Sequence, residues 1–252
     1  TSSNISLINN ICCIVACVAR YEAIPINKSR ITPFLTSCDV LRMIGAIHRI
    51  ASDSPNTIFN SFKAIRRVVQ SQPFLLKCSY LLIKIQQMFI VYSSVYMAKR
   101  HVQSEGLKLM RVVYSNIATH GDSLQCVVFE QVARIVVFHY KDVGISTLVC
   151  DVAYACVKKG HANSVMFVVF TRLPSAVSKA YFRRMCVSSD NRTAYRAEAA
   201  MCRLLLALLS HHDPRAKFET HARQRALHHL LSGLHCTDSE LDATYTLICA
   251  HS

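Results

Sequence analysis

The sequence predicts an all-α fold, an α-solenoid of stacked antiparallel helical hairpins. Apolar residues recur at spacings of three and four along most of the chain, whereas the alternation typical of strands is rare. Only six Gly and six Pro occur among the 252 residues, well below the average usage of roughly 7 % and 5 %, which argues against folds built from many tight turns. Hairpin-like segments also recur at intervals of roughly 33–39 residues, which is typical of helical solenoid repeats.

The first elements are predicted from their apolar stripes and end signals. We expect a helix over residues 4–21 that caps the array or completes an earlier hairpin. Residues 40–51 and 56–69 form the first predicted hairpin, because their apolar residues fall on one stripe of each helix. Between them, Ser54 is placed as an N-cap and Pro55 occupies the first helical position.

Further hairpins are predicted over residues 73–102, 106–137 and 145–173. A shift of 35 residues superimposes apolar positions of the first unit on the second, such as Ile50 on Ile85. In the last hairpin, Gly160 supplies the left-handed cap between the two helices. Residues 1–174 are therefore predicted to form the repeat array with its N-terminal capping helix. The helices of residues 175–252 complete this array or form a small separate domain.

The charge balance favours a polyanionic partner. The net charge is +14, and residues 28–111 contain 13 basic and three acidic residues. Such an excess suits a nucleic acid or an anionic membrane surface. The glycine motifs that hold nucleotide phosphates, G-x-G-x-x-G and G-x-x-x-x-G-K-[ST], are absent from the sequence, which disfavours nucleotide enzymes of those types.

Basic residues recur in register with the predicted repeat. Arg42 and Arg49 are seven apart and share a helix face, and the shift of 35 residues places Lys77 and Lys84 on them, with Arg111 following Lys77 at 34. A second series occupies the partner helices. Stacked hairpins would align both series into one or two positive tracks along a phosphate backbone. Ordinary solvated helix faces are the alternative, but few acidic residues intervene. The predicted RNA-binding residues are Arg42, Arg49, Lys63, Arg66, Arg67, Lys77, Lys84, Lys99, Arg100 and Arg111.

Patterns that carry catalysis or bind metal are missing from the sequence. The twelve cysteines form no C-x-x-C and lie mostly in apolar helical runs, so we expect buried thiols in a reducing compartment. Neither H-E-x-x-H nor G-x-S-x-G occurs, and a zinc tetrad of His228, His229, His235 and Cys236 would lack the usual cysteine pair. We expect no metal, no cofactor and no enzymatic activity. A Cys/His or Ser/His pair distant in sequence stays open.

One segment carries a family resemblance. In residues 148–175, LVCDVAYACVKKGHANSVMFVVFTRLPS, an apolar helix with a central Ala153 ends at Gly160, and a second helix with Phe167 closes at Pro174. This pattern resembles the repeat of organellar helical-repeat RNA-binding proteins, the octotricopeptide and heptatricopeptide class and the RAP-domain or FAST-kinase-like proteins. The Trp of that family's first helix and a closing RAP domain are both missing here. The resemblance therefore implies passive binding, and we expect a component of a mitochondrial ribosome in the matrix, in contact with rRNA and neighbouring proteins.

A second interpretation is a lineage-specific accessory subunit of a mitochondrial inner-membrane complex. Hydrophobic residues make up 52 % of the chain and charged residues only 17 %, so much of the surface must be apolar or covered. The longest apolar run, residues 5–19, is too short to span a bilayer, and no transmembrane segment is expected. The first residue is Thr1 rather than Met, for which loss of a presequence and a shortened sequence are the two explanations.

Overall fold

The computed structural model describes residues 2–22, 35–50, 53–117 and 123–158. Every regular element in these ranges is helical, which confirms the all-α prediction for this part of the chain. The chain divides into two compact units, Thr1–Ala118 and Thr119–Ser252, and the boundary predicted at residue 174 lies outside the described ranges. The elements in order are α1 (Ser2–Glu22), α2 (Ser37–Ile50), α3 (Pro55–Ser71), a 3-10 helix (Pro73–Lys77), α4 (Ser79–Val95), α5 (Arg100–Asn116), α6 (Ser123–Phe138) and α7 (Val143–Lys158).

The N-terminal helix and the first hairpin are confirmed. The Ser54 hydroxyl accepts a hydrogen bond from the backbone N–H of Thr57 at 3.3 Å, and Pro55 is the first residue of α3. Ser54 thereby satisfies one of the N–H groups that the first turn of a helix leaves without a partner. The apolar stripe predicted for α2 is buried at Val40, Ile44 and Ile47.

The helices of the first unit alternate between two layers. α3 packs against both α1 and α5, and α2 packs against α4. The side-chain amide of Asn60 donates to Asn9 at 3.1 Å, and Arg67 donates to the carbonyl of Ala16, also at 3.1 Å. Because these contact pairs ascend together in residue number, α1 and α3 run in the same direction. Every second helix therefore contributes to the same layer.

The core of the first unit is centred on buried aromatic rings. Phe62 of α3 and Phe89 of α4 are fully buried, with ring centroids 6.5 Å apart. Gly106 of α5 lies against both rings, since a Cβ atom at this position would be 3.1 Å from the Phe89 ring and 3.2 Å from the Phe62 ring. A glycine here lets the backbone of α5 approach closely.

The predicted second hairpin, residues 73–102, is wrong. It contains the 3-10 helix, the single helix α4 and only the start of α5. The turn between α4 and α5, residues 96–99, has neither Gly nor Pro. It is held instead by Gln103, whose Nε2 donates to the carbonyls of Ser93 at 2.9 Å and Tyr96 at 2.8 Å. Gln103 satisfies the carbonyls at the end of α4 from the following helix. The turn therefore does not need the Gly, Pro, Asn or Asp residues by which turns are recognised in a sequence.

The predicted third hairpin also began at the wrong place. Gly106, taken as its first residue, lies within α5. The helix pairs observed are α2 with α3, α4 with α5 and α6 with α7, and they begin at Ser37, Ser79 and Ser123. These starting points lie farther apart than the predicted interval between hairpins. The predicted repeat is therefore too short for this part of the chain.

The second unit is described through α6 and α7, which pack against each other. Their buried residues include Phe129, Val132 and Val149. The Asp142 carboxylate accepts a hydrogen bond from the backbone N–H of Ile145 at 3.1 Å and caps the start of α7. The predicted second helix of the fourth hairpin and the helices of residues 175–252 lie outside the described residues.

Candidate nucleic-acid interface

Six basic residues of the first unit lie on the solvent side of α3 and α5. Along α3, Lys63, Arg66 and Arg67 lie between positions that are fully buried, such as Phe62 and Ile65. Along α5, the same side carries three further basic residues at helical spacing. We call this surface the α3–α5 face, and its basic residues are Lys63, Arg66, Arg67, Arg100, Lys108 and Arg111.

Glu105 is the one acidic residue that α3 and α5 contain. Its side chain is only 4 % exposed, and its carboxylate accepts a hydrogen bond from Nε of Arg66 at 2.6 Å. Lys108 Nζ lies 3.4 Å from the other carboxylate oxygen. Residues 54–104 contain seven basic and no acidic residues. The six basic residues of α3 and α5 are therefore opposed by one carboxylate from these two helices, and that carboxylate is buried. The electrostatic field at the α3–α5 face favours an anion.

Two of the predicted RNA-binding residues hold the helices of this layer together. Arg66 bridges α3 to α5 through Glu105 and also donates to Gln70 at 3.4 Å. Arg67 bridges α3 to α1 through the carbonyl of Ala16. Loss of Arg66 would leave the buried Glu105 carboxylate short of a partner, which destabilises a fold, and loss of Arg67 would remove a hydrogen bond between α3 and α1. Both arginines therefore have a structural role that the sequence did not indicate.

An aromatic ring lies beside the basic residues at the N-terminal end of α5. Phe59 of α3 contacts His101 of α5 edge to face, with centroids 5.6 Å apart, and Lys63 Nζ is 5.9 Å from the Phe59 centroid. Lys99 and Arg100 are exposed immediately before His101. Arg100 therefore lies on the helix that follows α3 in this layer, and Lys99 occupies the N-cap position of that helix.

Three further predicted residues, Arg42, Arg49 and Lys84, lie on the layer of α2 and α4. Arg42 and Arg49 are exposed on α2, on the side away from its buried stripe, and Arg42 lies 4.0 Å from Asp39. Lys84 of α4 donates to the side chain of Gln87 at 3.1 Å. Lys77 is the last residue of the 3-10 helix rather than a position on the face that Lys84 shares. The alignment of Lys77 with Lys84 on one helix is therefore wrong.

Arg111 was also assigned to the wrong series. The predicted repeat placed it after Lys77 on the first helices of the hairpins, but it lies on α5, in the layer of α3. This error follows from the predicted repeat length. Because the predicted interval is too short, it assigns residues of α5 to the position in the hairpin that α4 occupies. The basic residues consequently divide between two layers.

A small polar cluster joins α2 to α4. The ring of His48 stacks on Tyr92 with centroids 5.2 Å apart, and the Tyr92 hydroxyl lies 2.8 Å from His48 Nδ1. Burial, with Lys84 nearby, holds the pKa of His48 below its usual range. Burial raises the pKa of Tyr92 to about 12. A neutral imidazole and a protonated phenol therefore share this hydrogen bond at neutral pH, and the tautomer of His48 sets which of the two donates.

The cysteines of the described ranges are free thiols, and their burial is mixed. Cys12, Cys150 and Cys156 are buried as expected, but Cys13 and Cys17 are exposed on α1. Burial raises the pKa of the Cys12 thiol, which lies 3.6 Å from the Ser61 hydroxyl. Within the described part of the chain, His, Cys, Asp and Glu side chains form no cluster suited to a metal ion. The tetrad at His228–Cys236 is outside it.

Three residues of interest were missed in the sequence. Lys108 extends the α3–α5 face and is recognisable once α5 is placed correctly, since it is eight residues from Arg100 and three from Arg111. Phe74 and Tyr80 are large aromatic residues that remain 49 % and 57 % exposed. Their signal is their place beside Lys77 and Lys84 in a segment with no acidic residue.

Within the described residues, no helix has both the length and the apolarity that a membrane crossing requires. Comparison of the chain with protein-family models, with curated proteins and with solved structures gives no match.

Proposed function

We propose that the chain is a noncatalytic RNA-binding structural protein that contacts phosphates through the α3–α5 face. The observation that carries this proposal is that α3 and α5 contain six basic residues and one acidic residue, the buried Glu105. Phosphate contacts of this kind supply affinity through release of counterions and depend little on base sequence. The alternation of helices between two layers supports a solenoid, in which further pairs would extend the same face.

The test compares two sets of three substitutions that each remove the same charge. The variant Lys63→Gln, Arg100→Gln, Arg111→Gln changes the α3–α5 face and leaves the structural contacts of Arg66 and Arg67 intact. We expect its affinity for a 12-nucleotide RNA at 0.15 M salt to fall on the order of tenfold or more.

The matched control is Arg42→Gln, Arg49→Gln, Arg134→Gln, taken from α2 and α6. We expect the control to bind RNA within about threefold of the unchanged protein, because charges off the binding surface act only through screened long-range attraction. Equal losses of RNA affinity in both variants would mean that the α3–α5 face acts only through the net charge of the protein and is not a binding surface. A loss confined to the control would move the binding surface to the α2 layer.

The particle we propose is a mitochondrial ribosome, located in the matrix, and this rests on the family resemblance of residues 148–175. RNase treatment of organelle extract followed by sedimentation tests it. A ribosomal component should shift from the heavy fractions when rRNA is digested. A component of another ribonucleoprotein would sediment at the size of that particle and leave only the RNA-binding proposal standing.

The uncharged exposed side of α1 favours one alternative, an accessory subunit of an inner-membrane complex. Leu7, Ile11 and Ile14 are 58 %, 42 % and 60 % exposed at helical spacing, and residues 2–19 contain no charged side chain. Such a stripe suits contact with another apolar protein surface. The same sedimentation experiment separates the two candidates, because a membrane-complex subunit stays with detergent-solubilised membrane protein after RNase treatment.

A further inference from the structure

We infer that the segment from Phe74 to Lys84 is a stacking site for unpaired bases, which adds single-stranded RNA to the ligands of this chain. The inference rests on the proposed RNA-binding function and assigns a second kind of contact to it. The site consists of two exposed aromatic rings, Phe74 and Tyr80, and two lysines, Lys77 and Lys84.

The two rings are unusual for their exposure. Phe62, Phe89, Tyr92 and Tyr114, the aromatic residues around which this unit is packed, are almost completely removed from solvent. Phe74 and Tyr80 instead leave about half of their surface open, although the core of the unit is already filled without them. Every base has an apolar π-face, and stacking on an aromatic side chain contributes about 1–3 kcal/mol per base.

Lysines flank both rings. Lys84 Nζ lies 5.4 Å from the centroid of the Tyr80 ring and is held there by its hydrogen bond to Gln87. Lys77 lies between the two rings in sequence, is exposed, and makes no hydrogen bond or ion pair with another described residue. A nucleotide presents a flat base together with a phosphate, and the pair of Tyr80 and Lys84 offers a ring to the base and an ammonium group to the phosphate.

The charges favour a nucleic acid over an apolar protein surface. Such a surface, docked on these rings, would bury two ammonium groups in a segment where residues 54–104 supply no carboxylate, and burial of unpaired charge is unfavourable. RNA brings its own phosphates as counter-charges. The 3-10 helix that carries Phe74 packs against α3, α4 and α5.

Because the chain contains no Trp, the substitution Tyr80→Trp introduces a single indole reporter at the site. A 12-nucleotide adenosine strand is expected to quench the indole emission by half or more, as base stacking does. Heparin, which carries anionic groups but no bases, is expected to compete for the protein without quenching. The matched reporter is Val95→Trp, also exposed on α4 but roughly 20 Å along the helix at 1.5 Å per residue, where no quenching is expected.

Affinity gives a second, independent measurement. The double variant Phe74→Leu, Tyr80→Leu keeps apolar bulk and removes the rings. We expect at least a tenfold loss of affinity for the adenosine strand and less than a twofold change for a 12-base-pair RNA duplex, whose bases cannot stack on protein rings. Circular dichroism and a thermal melt check that the variant is folded.

Several outcomes would overturn the inference, and they differ from failure of the proposed function. If the unchanged protein binds neither RNA, the proposed function fails and the stacking site fails with it. If it binds RNA but the indole is not quenched, or the double variant loses strand and duplex equally, only the stacking site fails. A double variant that keeps its RNA affinity but leaves the heavy particle fraction would assign the rings to a protein contact instead.

Discussion

At the scale of single residues, basic side chains in the same stripe have different tasks. Arg66 is only 20 % exposed and donates to a buried carboxylate, whereas Lys63 lies over the ring of Phe59 without a carboxylate partner in the described residues. The charge of Arg66 is therefore largely cancelled by Glu105, and the charge of Lys63 is available to a ligand.

This difference predicts opposite effects of two similar substitutions. Arg66→Met leaves the Glu105 carboxylate with Lys108 as its only cation, and we expect the free energy of unfolding to fall by about 2 kcal/mol, less than for a fully buried pair because Lys108 remains. Lys63→Met should change it by less than about 0.5 kcal/mol and weaken RNA binding instead. Urea denaturation of the two variants, followed by circular dichroism, measures both values. Equal destabilisation would contradict the division of roles.

His48 gives a prediction about pH. Burial and the neighbouring Lys84 lower its pKa in the folded chain, so below the ordinary value of about 6.5 the unfolded chain binds the proton more readily than the folded chain does. Stability is fully present above that value and is lost as the pH falls from it to the lower pKa of the folded chain, because burial and Lys84 disfavour the protonated ring. We expect the difference in unfolding free energy between pH 7.5 and pH 5.5 to shrink in His48→Gln. The other histidines contribute equally to both proteins, so their effect cancels in this comparison. If the pH-dependent difference in unfolding free energy were the same in His48→Gln, His48 would not be its cause.

At the scale of elements, two glycines within helices test how the layers pack. Gly106 lies against the buried rings of Phe62 and Phe89, whereas a Cβ atom at Gly45 of α2 would meet nothing within 4 Å. We expect Gly45→Ala to stabilise the fold by up to about 1 kcal/mol through helix propensity. Gly106→Ala gains the same propensity but crowds two rings that cannot move freely, and a net loss of about 1 kcal/mol is expected.

Thermal unfolding of the two alanine variants measures these effects in one experiment. A higher melting temperature for Gly45→Ala together with a lower one for Gly106→Ala is the expected pair. If Gly106→Ala were as stabilising as Gly45→Ala, this result would contradict the close packing of α5 against Phe62 and Phe89.

The elements also show which parts of the fold the sequence could predict. The start of α3 was predicted because Ser54 and Pro55 act locally, through one hydrogen bond and one fixed dihedral angle. The turn after α4 was missed because Gln103 closes it from the following helix, and Gly106 was misplaced because its cause lies in Phe62 and Phe89 on other helices. The candidate site divides in the same way: positive charge could be counted along the chain, but pairing with Glu105 and exposure of Tyr80 depend on tertiary packing.

At the scale of the whole molecule, phosphate contacts and base contacts should respond differently to salt. Binding through phosphates releases counterions, so the logarithm of the affinity falls linearly with the logarithm of the salt concentration, by about 0.7 per phosphate contact on a single strand. Stacking releases none. The α3–α5 face and the site from Phe74 to Lys84 are therefore separable in the intact protein.

The last prediction follows from this separation. Lys63→Gln, Arg100→Gln, Arg111→Gln should reduce the salt slope by about two, because three phosphate contacts are lost at about 0.7 each. Phe74→Leu, Tyr80→Leu should lower the affinity for the adenosine strand at every salt concentration and leave the slope unchanged. Fluorescence anisotropy titrations between 0.05 and 0.3 M salt measure both slopes. A reduced slope in the ring variant would mean that the rings act by placing Lys77 and Lys84 on phosphates, whereas an unchanged slope in the charge variant would remove those three residues from the phosphate-binding surface.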